Sequence, residues 1–117
     1  MTFDEFTVVL LLSGDNPPAM TTDQRNELQD AHLAHLSALQ KAGYLVAAGP
    51  ITGEDNRDLR GISLLTVGVD RARTLCSDDP GVTSGVFKLE IFSWLVPGGA
   101  MSFHQAFFPS SIAEAIS

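Results

Sequence analysis

Apolar side chains fill nearly every position from Phe6 to Leu12. A Val- and Leu-rich run of that kind predicts a central strand covered on both faces. Ser13-Gly14-Asp15-Asn16-Pro17-Pro18 ends it, since turn formers cluster there and proline cannot donate to a sheet ladder. From about Asp23 to Ala42 the period changes to that of a helix. Leu28, Ala31, His32, His35, Leu36, Ala38, Leu39 and Ala42 fall on one face, and Gln29, Asp30, Ser37, Gln40 and Lys41 fall opposite. Thr21 and Gln24 have the spacing of a capping box, and Gly43 stands where a left-handed C-cap belongs. Leu33 lies off the apolar face.

Two further extended runs follow, Tyr44 to Ile51 and Asp58 or Leu59 to Val67, joined by the polar turn Thr52 to Arg57. Asp70 to Ser77 is short and helical in character. Asp78-Asp79-Pro80-Gly81 stops it, because proline disfavours the helical region for the residue before it. Val86 to Val96 reads as the last strand, with Lys88 and Glu90 alternating against Phe87, Leu89 and Ile91.

The order β-α-β-β-α-β predicts an α+β fold, a ferredoxin-like antiparallel sheet with two helices on one face. Val8, Val9, Leu10, Leu11, Phe92 and Trp94 put apolar side chains on both sides of the sheet, so the face away from the helices needs a cover. Pairing two such sheets face to face supplies one, which predicts a homodimer of the dimeric α+β barrel type. One domain is expected over residues 1–97. Residues 98–117, with Phe103, His104, Phe107 and Phe108, are too apolar for a free tail and are expected to pack on the domain or on the partner subunit.

Composition narrows the function. With seven Lys+Arg against fourteen Asp+Glu, the formal net charge of −7 repels nucleic-acid phosphates and anionic membranes, so neither is an expected partner. The apolar run near the start follows Asp4 and Glu5 rather than a basic segment and is too short to span a bilayer. A single cysteine, Cys76, forms no internal disulfide and fits a cytoplasmic location; its Val69, Ala72, Leu75 stripe makes it a packed small hydrophobe. The sequence contains no Gly-rich nucleotide loop, nucleophile elbow or His-Glu-x-x-His pattern.

Two imidazoles, His32 and His35, lie three residues apart on the helical face. Such a histidine can act as a general acid or base at the lip of a pocket, or it can be a core-edge residue bonded to a carbonyl. A metal reading needs a third ligand such as His104, and nothing in the sequence fixes that geometry. Asp78 and Asp79 read as following the short helix, where the macrodipole disfavours negative charge. Either they are simply good turn chemistry or a carboxylate is held there to orient an imidazole. Gly49 and Pro50 mark close backbone approach or a strand end, and Ser63 is a candidate hydroxyl for a pocket.

The helix Ala31-His32-Leu33-Ala34-His35-Leu36, the segment Leu45-Val46-Ala47-Ala48-Gly49-Pro50, and Asp79-Pro80 ahead of Gly85-Val86 together resemble the YCII-related domain family, the YciI-like proteins, over about Phe6 to Leu95. The resemblance implies a dimeric α+β barrel with a catalytic histidine on the first helix and an aspartate in the Asp-Pro turn, here His32 and Asp79. His35 inherits no role from it. One characterised branch of that family is similar to cofactor-free dehydrochlorinases of chlorinated hydroxyquinols. The expectation is therefore a homodimer that needs no metal or organic cofactor. In it His32 and Asp79 move a proton on a small cyclic or phenolic molecule, with Ser63, Gly49 and Pro50 at the substrate, in lyase- or isomerase-like chemistry. The alternative is a non-catalytic module of the same fold that binds a small molecule.

Overall fold

The computed structural model describes residues 1–53 and 58–117. The chain forms β1 (Phe3–Ser13), α1 (Thr22–Lys41), β2 (Leu45–Pro50), β3 (Leu59–Leu65), α2 (Val69–Ser77), α3 (Pro80–Thr83), β4 (Phe87–Pro97) and α4 (Ile112–Ile116). The expected elements are present, with β1 longer at its start and β3 shorter at its end. The tip of the polar turn between β2 and β3 lies outside the described residues.

The four strands form one antiparallel sheet in the order β2-β3-β1-β4, consistent with a ferredoxin-like arrangement. The apolar run of β1 takes a central place, paired on both sides, as its lack of alternation requires. Alternation along the strand then decides which side chains meet the helices. Val9 and Leu11 of β1 and Leu65 of β3 pack with Leu45, with Leu39 of α1, and with Ala72 and Cys76 of α2 in one core. Fully burying a Leu or Val there stabilises by about 1.5–3 kcal/mol. Thr7, on the same face, is satisfied by donating to Val67 O at 2.5 Å.

Helix α1 starts at the Thr21–Gln24 capping box and ends at Gly43, whose φ of 86° is left-handed. Its buried face differs from the expected one, because Ser37 is buried while Ala38 is exposed. Positions 33, 37 and 40 form one stripe, and the tail meets that stripe at Gln40, whose Nε2 donates to Ala106 O at 3.2 Å.

After β4 the tail is tied down by Gly98 N to Thr2 O at 2.8 Å and Gly99 N to Asp4 Oδ2 at 2.9 Å. Phe103 sets its ring edge against Phe6 with centroids 5.5 Å apart, and Phe108 packs against the core. Ile112 N then donates to Asp30 Oδ1 of α1 at 2.7 Å. The opposite sheet face carries Phe6, Val8, Leu10, Ile62, Leu64 and Phe92, and Phe92 and Trp94 remain 50% and 43% exposed.

The sequence left residues 78–81 as a turn that ends the second helix. Instead Asp79 is the N-cap of α3, with Pro80 in the first turn and the Asp79 carboxylate accepting from Gly81 N. A negative charge is favoured at that end of a helix, so the macrodipole conflict expected for Asp79 does not exist. Asp78 alone remains at a helix C-cap, on α2, and is exposed.

Candidate functional site

A cavity of about 650 Å³ opens between α1, the helix-side face of the sheet and the tail. Helix α1 contributes Gln29, His32, Leu33 and Leu36; the sheet contributes Leu11, Ala48, Gly49, Pro50, Arg60, Gly61, Ile62, Ser63 and Phe87. Phe107, Phe108, Pro109, Ile112 and Ala115 form the remaining wall. Leu33, off the apolar face in the sequence, thus faces a cavity whose other wall is the chain's own tail.

His32 is buried, and its Nδ1 lies 2.6 Å from Asp79 Oδ2, also buried. An ionised carboxylate only accepts, so Nδ1 carries the hydrogen. Asp79 is itself held in place, because its Oδ1 accepts from Gly81 N at 2.8 Å. Phe87 packs beside the imidazole with ring centroids 5.5 Å apart. No described residue bonds Nε2, which leaves that nitrogen for the cavity His32 lines.

The two histidines are therefore placed differently. His35 Nε2 donates to Leu75 O at 3.0 Å and ties α1 to α2. His104 lies on the tail, near Lys41 and Val46 at the other end of α1, in a separate cleft. Among the described residues no group of three His, Cys, Asp or Glu side chains comes together to hold a metal ion. Cys76 is buried, and desolvation, with the Asp79 charge adding to it, pushes its thiol up to about 11.

Ser63 is buried on the cavity face of β3, and no described residue bonds its hydroxyl. Gly49 and Pro50 line the cavity from β2; a Cβ at the neighbouring Gly61 would lie 3.1 Å from Gly49 O, so the two strand ends approach closely there. Sequence reasoning missed Gln29 and Arg60. Gln29 stands three residues before His32, a spacing that puts it beside the imidazole. Arg60 gave no signal, because it reaches the cavity through a break in strand register.

Residues 7–95 match the YCII-related domain, and the chain belongs to that family. Among solved structures the chain is similar to TftG, the 5-chloro-2-hydroxyhydroquinone dehydrochlorinase of Burkholderia phenoliruptrix AC1100, solved in complex with 2,5-dihydroxybenzoquinone. The two are 24% identical with a TM-score of 0.51, over 76% of this chain and 92% of that one. The likeness is one of fold. No curated protein matches the chain. No helix among the described residues is long and apolar enough to cross a membrane.

Proposed function

We propose that the protein is an acid–base enzyme in which His32, oriented by Asp79, moves a proton on a small cyclic or phenolic molecule held in the cavity, with no metal or organic cofactor. The observation that carries this reading is the 2.6 Å bond from Nδ1 to Asp79 Oδ2 at the wall of the cavity, which leaves Nε2 without a partner among the described residues. A carboxylate on Nδ1 fixes the tautomer with a lone pair on Nε2 and stabilises the imidazolium formed when that nitrogen takes a proton. Ser63, with Gly49 and Pro50, contacts the substrate from the sheet. Dehydrochlorination fits the same groups: a proton leaves to Nε2 and chloride departs with the electron pair of its bond to carbon.

The test is chloride release from 5-chloro-2-hydroxyhydroquinone by the wild-type protein and by H32Q. Release that falls by about 10²-fold or more in H32Q supports the reading. Binding of 2,5-dihydroxybenzoquinone with no turnover by either protein supports the non-catalytic module instead. The working form proposed is a cytoplasmic homodimer joined through the sheet face of Phe92 and Trp94, with residues 98–117 as an extension of the 1–97 domain. Sedimentation of wild type as a dimer and of F92E as a monomer would agree with that form.

A further inference from the structure

Among the described residues the cavity lining is apolar apart from four side chains, Gln29, His32, Arg60 and Ser63. No carboxylate lines it, and Arg60 is its one permanently charged lining residue among those described. The chain as a whole carries a net charge of −7, whereas the described lining carries one cation. The Arg60 guanidinium, the Gln29 carboxamide and the Ser63 hydroxyl have no hydrogen-bond partner among the described residues.

Arg60 comes to the cavity by a specific device. Leu11 pairs with Gly61, but the next residue, Leu12, pairs with Leu59, so Arg60 is the extra residue of a β-bulge. The extra residue breaks the strict alternation of the strand, and Arg60 lines the cavity together with Gly61, Ile62 and Ser63. Gln29 lies one helical turn before His32 on the opposite wall.

Resting on the acid–base reading of this site, we infer that the substrate binds as an anion, a small ring bearing an ionised oxygen group, a phenolate or a carboxylate. Arg60 binds that group, Gln29 and Ser63 donate to its remaining oxygens, and His32 Nε2 faces the ring. A guanidinium matches the two oxygens of a carboxylate with parallel N–H bonds, and an apolar lining strengthens the attraction. Arg60 and Gln29 are exposed, so they stand at the mouth of the cavity, where an entering anion meets them first.

The probes are 4-fluorobenzoate and its neutral isostere 4-fluorobenzamide, titrated by ¹⁹F NMR into wild type, R60Q, R60K and H32Q. The expected result is a preference of about tenfold or more for the benzoate in wild type, lost in R60Q and kept in part by R60K. Equal affinity for the two probes, binding of neither, or an undiminished preference in R60Q overturns the inference. H32Q separates the two claims, since it keeps the benzoate preference whether or not His32 moves a proton. A retained preference with unchanged chloride release in H32Q would leave the anion site standing and remove the acid–base role.

Discussion

His32 Nδ1 lies 2.6 Å from Asp79 Oδ2, and the second oxygen of that carboxylate accepts from Gly81 N at 2.8 Å. One side chain thus fixes an imidazole on α1 and starts α3. Stability and orientation are linked at this residue, and the substitutions that separate them are informative.

D79A removes the partner of a buried imidazole and of the Gly81 N–H together. It is expected to cost about 3 kcal/mol or more in urea denaturation. D79N keeps an oxygen for Gly81 and turns its amide N–H toward Nδ1, so it should cost less stability. It nevertheless moves the imidazole hydrogen to Nε2 and should lower proton transfer by about 10²-fold or more. Equal loss of stability in the two variants would mean that the carboxylate's charge, not its cap, holds α3.

G81A disturbs the same pair from the other side. A Cβ there would lie 2.6 Å from Phe87 Cδ2, and that ring packs beside His32. Overpacking of this kind is expected to cost about 1–3 kcal/mol and to shift the imidazole resonances of His32 more than those of His35.

Cys76 gives a pH dependence with a definite sign. Its thiol is raised from 9.0 to about 11 by burial first and by Asp79 second, so the folded protein holds this proton where the unfolded chain releases it. The stability contributed by the protonated thiol is intact below pH 9.0 and declines as the pH rises toward about 11. Denaturation midpoints should fall across that window in wild type and fall less in C76A. Thiol reagents should react slowly with the native protein near neutral pH.

Phe108 joins the tail to the core and to the cavity wall. F108A is expected to cost about 2 kcal/mol, less than for a fully buried ring, and to weaken probe binding while leaving the His32–Asp79 bond in place. Thermal unfolding and ¹⁹F titration of the one variant separate the two effects.

Much of this arrangement is legible in the sequence. The continuous apolar run of β1, the Thr21–Gln24 box and Gly43 each declare themselves through local chemistry. The His32 and Asp79 pairing needs the family resemblance, because 47 positions separate the two residues and no periodicity links them. Helix α3 escapes because four residues are too few to show a period, although Asp79 followed by Pro80 is a helix start in miniature. Leu33 looks solvent-facing because the wall opposite it is the distant tail. Arg60 is hidden for a different reason, since a bulge is a property of pairing and leaves no mark on the strand that carries it.

The most direct test is ¹H–¹⁵N NMR of the imidazoles in wild type and D79N under conditions where His32 is neutral. His32 is expected to show Nδ1–H with an unprotonated Nε2 in wild type and to change to Nε2–H in D79N, while His35 keeps its Nε2–H in both. A His32 that is already Nε2–H in wild type, or whose tautomer is indifferent to the substitution, would contradict the orientation of His32 by Asp79.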